Sequence, residues 1–555
     1  MTRKLALAMA QINPIVGDLS GNSQLILDAR ATAKDAGADL VLFSEMVMVG
    51  YPAEDLVLKP FFQDKVAAAV NALAAETSDD GPALIIGTPW RIEDKLYNVS
   101  MLLDGGEIKA IRPKHELPNY GVFDEKRVFS QGPMPGAVTF RDVALGIMTC
   151  EDMWMPDVSE CLEETGAEIL LVPNGSPFET DKIDMRMAHA VARVKETGLP
   201  LVYVNQVGGQ DELVFDGASF ALGSDCKLVA QLPNFESSLQ LIRWEDTGGG
   251  WHCVEGSMVK PADGLDAVYK AMVLGLRDYV NKNGFPGVVL GMSGGIDSAL
   301  SAAVAVDALG AVRVHCVMMP SPYTSQESLD DADIACKLLD VKIDSVNIKP
   351  AMDAFDEMLA PIFGETQSDT TEENIQARAR GLTLMAISNK NGAMVLTTGN
   401  KSEMSVGYAT LYGDMCGGYS VLKDIYKMDV FALCRLRNAE KPSGIDLLGP
   451  DGPVMPERII TKPPSAELRP DQRDDDSLPP YDKLDDILKC LIEGEMGLQE
   501  ITKRGHNPET VQRVWRMLDL AEYKRRQAPP GVKVTSRAFG KDRRYPITNA
   551  FRKIL

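Results

Sequence analysis

The chain has 555 residues, with 79 acidic against 57 basic side chains for a formal net charge of −22, and is 45% apolar and 6% aromatic. That balance excludes a collagenous, coiled-coil or wholly disordered protein, and the length predicts roughly two to four domains with substantial cores. A charge this negative disfavours a general nucleic-acid binder, because a polyanion is repelled at long range.

No stretch approaches the ~20 apolar residues that a bilayer-spanning helix needs, so no membrane partner is expected. The N-terminus carries a basic start and a short apolar run, but Gln11-Ile12-Asn13-Pro14 ends that run. It reads as a buried first strand rather than a signal peptide. The nine cysteines are odd in number, scattered, and lack a C-x-x-C pair. They point to a reducing compartment, the cytoplasm, and against a disulfide framework or zinc ribbon. Five histidines, no two close in sequence, argue against a histidine-centred metal site or triad.

Apolar runs at 5–10, 40–43, 83–87, 143–148, 169–172 and 201–204 read as buried strands, and 23–36 and 61–76 carry helical spacing between them. The pattern defines a first domain over 1–246. Thr247-Gly248-Gly249-Gly250 interrupts it, and Pro261 to Gly264 precedes an amphipathic helix near 265–281, so 247–264 is expected to be a linker. Strands at 287–290, 312–319, 341–348 and 394–397 then alternate with helices, which predicts a second α/β domain, 265–555, with a mainly parallel sheet. The Pro-, Asp- and Arg-rich stretch 451–480 reads as loop, with Arg473-Asp474-Asp475-Asp476 as a solvated charge run. No internal repeat is visible.

Three short pieces of the first half follow apolar strands: Phe43-Ser44-Glu45, Lys114-His115-Glu116-Leu117-Pro118-Asn119-Tyr120, and Thr149-Cys150-Glu151-Asp152-Met153-Trp154. Read singly, each has a bland meaning: a core cysteine, a solvated glutamate, a surface lysine. Together and in this order they resemble the Glu-Lys-Cys triad of the nitrilase superfamily, an αββα sandwich whose members cleave carbon–nitrogen bonds. A thiol of ordinary pKa, about 8.5, is mostly protonated at neutral pH and needs a base. The resemblance implies that Glu45 takes the proton, Cys150 attacks an amide carbon and Lys114 stabilises the oxyanion. Phe-Ser-Glu stands here where the family usually has Phe-Pro-Glu. The pieces Gly50-Tyr51-Pro52, Asn119-Tyr120-Gly121, Asn174-Gly175-Ser176 and Tyr203-Val204-Asn205-Gln206 are similar to the glutaminase domain of the glutamine-dependent NAD synthetase family. That resemblance implies Tyr120, Ser176 and Lys182 as glutamine-binding residues, with Tyr51 and Glu125 in support.

The second half holds a more specific signal. Val288-Val289-Leu290 leads into Gly291, Met292, Ser293, Gly294, Gly295, Ile296, Asp297 and Ser298, followed by an alanine-rich helix. Backbone N–H groups and two serine hydroxyls at a helix N-terminus can cradle a phosphate. It is neither a Walker A loop nor a Rossmann fingerprint. It resembles the loop of the ATP pyrophosphatase family, which splits ATP between the α and β phosphates, and a carboxylate at Asp297 suits magnesium beside phosphates.

The whole chain thus resembles, in domain order, the glutamine-dependent NAD synthetase family: a nitrilase-like sandwich followed by a doubly wound α/β domain. The resemblance implies ATP- and glutamine-dependent amidation of nicotinic acid adenine dinucleotide through an adenylate. It also implies Thr398, Lys427 and Ser465 as ATP contacts, Asn374, Glu403 and Lys524 as dinucleotide contacts, and Asp297 with Glu403 as magnesium ligands. A homo-oligomer and an internal ammonia route belong to the same expectation. The lysine that simpler, ammonia-only synthetases carry before Tyr412-Gly413-Asp414 is Leu411 here, and its role is not transferred. Two alternatives stay open: the same machinery acting on another carboxylate or carbonyl acceptor, and a non-enzymatic protein on degenerate folds. From Tyr523 to Leu555 ten basic residues face one acid, Asp542, which predicts a local basic site for a small polyanion around Lys524.

Overall fold

Alternation in the first strand, Arg3–Gln11, sends Leu5, Leu7 and Met9 to one side and Ala8 and Ala10 to the other. Successive strand residues face opposite ways, so both faces of this strand must be covered. The structure, a computed structural model, describes residues 2–180, 182–364, 366–470 and 472–550. It divides into two compact units, 1–263 and 264–555.

In the first unit two sheets stack face to face. One is seven-stranded, in the order Trp251–Glu255, Ser238–Asp246, Arg3–Gln11, Leu40–Phe43, Ala83–Ile92, Lys95–Asp104, Glu107–Pro113. The other is six-stranded, in the order Leu228–Gln231, Phe220–Leu222, Leu201–Asn205, Ile169–Asn174, Val143–Ile147, Val138–Phe140. Leu7, Met9, Leu40, Leu42 and Ile85 meet Leu145, Ile147, Leu171, Val202 and Val204 between the sheets. Each large side chain fully buried there contributes roughly 1.5–3 kcal/mol. Outside one sheet, Ala8, Val41 and Phe43 pack with Ile26, Ala33, Val66 and Val70 of the helices Leu19–Asp35 and Pro60–Glu76. Outside the other, Leu170, Val172 and Tyr203 pack with Val158, Leu162, Ala190 and Val194 of Pro156–Glu164 and Lys182–Thr197. This is an αββα sandwich. The interval 247–264, expected to be a linker, carries the strand Trp251–Glu255, antiparallel to Ser238–Asp246. The glycine run there is a hairpin turn, its Gly248 and Gly250 N–H groups donating to Asp246.

The second unit has five parallel strands in the order Lys342–Ser345, Val314–Met318, Val288–Gly291, Met394–Thr397, Tyr419–Ser420. Chain order reverses between Val288–Gly291 and Met394–Thr397, the topological switch point of a doubly wound sheet, where ligands bind beyond the carboxyl ends of strands. The stretch 451–480 is not all loop: it forms the helix Glu457–Thr461 and a short turn, Asp474–Asp476. Asp474 is buried and accepts from the Tyr481 hydroxyl at 2.8 Å, so the charge run is not simply solvated. Part of the basic tail is paired: Arg525 and Arg543 share Glu522, Lys533 meets Asp542 and Arg537 meets Glu495. Arg552 and Lys553 lie outside the described residues. Among the described residues no helix is long and apolar enough to cross a membrane.

Candidate active sites

In the first unit Glu45, Lys114 and Cys150 each lie just beyond the last residue of a strand, Leu40–Phe43, Glu107–Pro113 and Val143–Ile147. The Lys114 ammonium is fully buried, 2.7 Å from Glu45 Oε1 and 3.0 Å from the Glu125 carboxylate. Asn98 Nδ2 donates to the same Glu45 oxygen at 2.7 Å, while Glu45 Oε2 is buried with no donor. Tyr51 donates from its hydroxyl to Glu125 at 2.9 Å.

Cys150 opens a short 3-10 turn, Cys150–Trp154, with φ of 50°, a left-handed conformation that costs a non-glycine residue on the order of 1–3 kcal/mol. Asp152 pays back that strain locally. Its Oδ2 accepts from Thr149 N at 2.9 Å, and its Oδ1 accepts from His115 N and Glu116 N at 3.1 and 2.7 Å. One buried carboxylate therefore fixes the cysteine turn against the segment that starts at Lys114.

Burial pushes the Cys150 thiol up, the Glu45 charge adds to this, and Lys114 opposes it. The thiol is thus protonated at rest. Burial alone would lower Lys114, but Glu125 and Glu45 outweigh it and hold the ammonium charged. Burial also raises Glu125, to about 7, against the pull of Lys114.

The three expected glutamine contacts fall differently. Tyr120 is exposed and donates to both oxygens of Glu151, at 3.1 and 2.9 Å. Lys182 lies 3.3 Å from Glu179 and over the Phe123 ring, and its charge acts on Glu151. Ser176 is buried; its N–H donates to Asn205 Oδ1 and its hydroxyl accepts from Arg186 Nε, whose guanidinium pairs with Asp216 at 2.8 Å. Asn98, Glu151, Asp152 and Arg186 are site residues beyond those expected from the sequence. Glu151 and Asp152 sit within the cysteine motif, so their acidity two residues deep in a strand-end turn was a usable signal; Asn98 and Arg186 gave none.

In the second unit the strand Val288–Gly291 runs through the glycine turn into the helix Ile296–Leu309 at the sheet's switch point. Gly294 has φ of 76°, and a Cβ there would come within 2.1 Å of the Ser328 carbonyl oxygen. Ser293 and Ser298 hydroxyls lie 3.1 Å apart, Ser293 exposed and Ser298 buried. Met292 and Ile296 bury their side chains, and the Met292 N–H donates to Val317 O. Those two residues shape the loop from behind.

Asp297 gathers the neighbouring elements. Asn400 Nδ2 donates to its Oδ1 at 2.8 Å, and Lys427 Nζ lies 2.5 Å from its Oδ2 and 2.9 Å from Glu403 Oε1. Tyr481 adds a longer contact to Glu403, at 3.4 Å. Burial raises Glu403 to about 7; Lys427 opposes this and Asp297 reinforces it. Burial would lower Lys427, but Asp297 and Glu403 raise it overall. Asp297 and Glu403, both on the Lys427 ammonium and the first of them in the 291–298 loop, offer hard carboxylate oxygens of the kind that Mg2+ takes together with phosphate oxygens and water. Among the described residues no group of three or more His, Cys, Asp and Glu forms a cation cage without such help.

The remaining expected contacts lie in the same unit. Thr398 directly follows the strand Met394–Thr397. Asn374 accepts from the Thr410 hydroxyl at 2.8 Å, and Lys524 Nζ donates to Gly407 O and Ala409 O at 2.8 and 2.7 Å. Burial pulls Lys524 below the usual lysine range. Ser465 is exposed and donates to Gln472 O. It connects to the phosphate loop only indirectly, through Glu467, which accepts from the Ser325 and Ser328 hydroxyls. Asn400, Asp474 and Tyr481 were not anticipated. Asn400 lay inside the Thr397–Glu403 motif, Asp474 comes from the stretch expected to be loop, and Tyr481 follows directly after it.

A buried thiol beside a carboxylate and an ammonium in one unit, and a glycine-serine loop at a sheet switch point in the other, are features of a carbon–nitrogen hydrolase and of a nucleotide-binding synthase. The Carbon-nitrogen hydrolase family matches residues 6–243 and the NAD synthase family residues 268–528. The chain is 50% identical over 552 residues to the glutamine-dependent NAD(+) synthetase of Rhodobacter capsulatus, covering 100% of both chains. It is 43% identical to that of Acinetobacter baylyi, covering 99% of each. A solved structure of the glutamine-dependent NAD+ synthetase from Acinetobacter baumannii in complex with ADP is 41% identical, covers 98% of each chain and superposes with a TM-score of 0.78. The chain belongs to the glutamine-dependent NAD(+) synthetase family.

Proposed function

We propose that this protein makes NAD(+) by ATP-dependent amidation of nicotinic acid adenine dinucleotide, with ammonia drawn from glutamine. The observation that carries the reading is the pairing of two complete sites in one chain: Glu45–Lys114–Cys150 in one unit and the 291–298 loop with Asp297, Glu403 and Lys427 in the other. Full-length identity to synthetases of the same name supports the choice of acceptor.

In the glutaminase reaction Cys150 Sγ attacks the carboxamide carbon while Glu45 accepts the thiol proton. The open oxygen of that carboxylate, Oε2, suits the task. Lys114, held charged, faces the developing oxyanion. Glu45 then returns its proton to the departing ammonia, and water releases glutamate from the thioester with Glu45 again as base. Tyr120, Ser176 and Lys182 hold the glutamine.

In the synthetase reaction the 291–298 backbone and the Ser293 and Ser298 hydroxyls hold the ATP phosphates, with Lys427, Thr398 and Ser465 as further ATP contacts. The dinucleotide carboxylate attacks the α-phosphorus and pyrophosphate leaves. Ammonia then attacks the acyl carbon and AMP leaves. Asp297 and Glu403 would hold Mg2+, which supplies positive charge to the phosphates. Asn374, Glu403 and Lys524 bind the dinucleotide. Nine free cysteines fit a cytoplasmic location, and a homo-oligomer belongs to the same reading.

Incubation with ATP, glutamine and nicotinic acid adenine dinucleotide tests the proposal. NAD, AMP and pyrophosphate are expected together; glutamine hydrolysis without NAD or pyrophosphate would refute it.

A further inference from the structure

Two ion pairs join the helix Ile296–Leu309 to the helix Lys427–Ala439. Asp297–Lys427 belongs to the site already described, and Asp307–Arg437 lies ten residues further along each helix. That offset is about 15 Å of helix axis on both partners, so the helices run in the same direction and the two pairs match in spacing. One pair alone would leave the helices free to slide or roll about it. Two pairs fix their register.

Neither Asp307 nor Arg437 is exposed. Arg437 Nε donates to Asp307 Oδ2 at 2.7 Å and Nη2 to Oδ1 at 3.1 Å, a two-pronged geometry that sets orientation as well as distance. Tyr269, from the helix Gly264–Lys282, donates to Asp307 Oδ2 at 2.6 Å. The guanidinium also donates to Pro450 O at 2.6 Å and Gly452 O at 3.1 Å. Gly449 makes that approach possible, since a Cβ there would lie 2.1 Å from Asp307 Oδ1. Beyond this loop, Asn438 accepts from Val454 N and Met455 N, and the chain enters Glu457–Thr461 and then Lys462. Lys462 Nζ donates to the hydroxyl of Ser328 at 3.0 Å, the residue whose carbonyl backs Gly294. One buried pair therefore reaches the phosphate-loop helix, the Lys427 helix and the segment carrying Lys462 and Ser465.

Buried ion pairs are expensive to desolvate, and well-packed hydrocarbon of similar volume often stabilises a core as well or better. What hydrocarbon does not supply is a directional lock between two helices. We propose that Asp307–Arg437 is a positioning pair for nucleotide binding: it sets the register that brings Lys427 onto Asp297 at the phosphate loop, without touching substrate itself. The proposal rests on the reading of the 291–298 loop as the ATP site.

Arg437→Met removes the charge at similar volume, and Arg437→Lys keeps the charge but loses the fork. Both are made in the full chain and checked for folding by circular dichroism and thermal melting. ATP affinity is read by direct titration, and kinetics by ammonia-driven NAD synthesis. A misplacement of about 1 Å can cost on the order of 100-fold, so kcat/KM for ATP is expected to fall on the order of 10- to 100-fold in Arg437→Met, and by less in Arg437→Lys. Lys427 also holds Glu403 at 2.9 Å, so the KM for the dinucleotide is expected to rise as well, but by less than the dissociation constant for ATP. Folded variants that melt earlier but bind ATP as the wild type does would overturn the proposal. If Arg437→Met yields no folded protein, Arg437→Lys decides by the same titration. That titration reads ATP alone, so failure of the proposed amidation and failure of this proposal are separable.

Discussion

Lys114 and Glu45 meet at 2.7 Å with neither side chain exposed. Their charges are mutual compensation in a low-dielectric pocket, so removing one strands the other. Losing one partner of such a buried pair costs about 3–5 kcal/mol. Lys114→Met is therefore expected to lose glutaminase activity and to lower the melting temperature of the first unit's transition by several degrees. Calorimetry with a glutaminase assay on the purified full chain checks both. An inactive variant with an unchanged melt would contradict the energetic half of the argument.

Cys150→Ala removes the nucleophile and leaves the Lys114 network intact. Glutamine-driven synthesis is expected to vanish while high concentrations of ammonium chloride still support NAD formation. Failure of ammonia to rescue a folded Cys150→Ala protein would contradict the division of labour between the two sites.

Glu125 gives a pH dependence of defined sign. Its carboxyl rises from an ordinary 4.5 to about 7 on folding, chiefly through burial. Its contribution to stability is therefore fully present below about pH 4.5 and is lost as pH rises through about 7. Glu125→Gln cannot ionise, so its melting temperature is expected to gain on the wild type between pH 5 and 8. A constant difference across that range would show that Glu125 does not titrate there.

Lys524 donates to two backbone carbonyls and has no carboxylate within ion-pair distance among the described contacts. If it serves the dinucleotide, Lys524→Ala should raise the dinucleotide KM while leaving glutamine hydrolysis unchanged. An unchanged KM would remove it from the site.

The C-terminal segment makes a separate demand. Lys401, next to the Asn400 that holds Asp297, is fully buried and lies 2.7 Å from Asp424 and from Glu493. It also donates to Thr535 Oγ1 at 2.8 Å and Arg537 O at 2.9 Å. Truncation before Val532 is expected to abolish ammonia-driven synthesis and to leave glutaminase activity in place. Full synthetase activity after truncation would contradict this coupling.

Local features were legible in the sequence. The strands at 40–43 and 394–397 were expected with the limits they have, because short β-branched and leucine runs between breakers leave little choice. The phosphate loop and the thiol turn were equally visible, since a few contiguous residues encode each. Glu107–Pro113 and Ser238–Asp246 escaped as half-buried antiparallel strands rich in polar residues, and Lys95–Asp104 because Asn98 and Ser100 interrupt its buried apolar run. Asn98 and Arg437 were invisible for another reason: they act on partners 53 and 130 residues away, Glu45 and Asp307 respectively. Such partnerships exist only once the chain has folded. The tail's positive charge was visible as a count, but the sequence does not show which acids it meets, and Glu522, Asp542 and Glu495 take up part of it.

The most direct test of the account follows the amide nitrogen. Glutamine carrying a heavy-nitrogen label on its side-chain amide is supplied with ATP and nicotinic acid adenine dinucleotide, and the product is read by mass spectrometry. The account predicts NAD with the label in its carboxamide, formed in step with AMP, pyrophosphate and glutamate, and no labelled product from Cys150→Ala. Labelled ammonia accumulating without labelled NAD would contradict it.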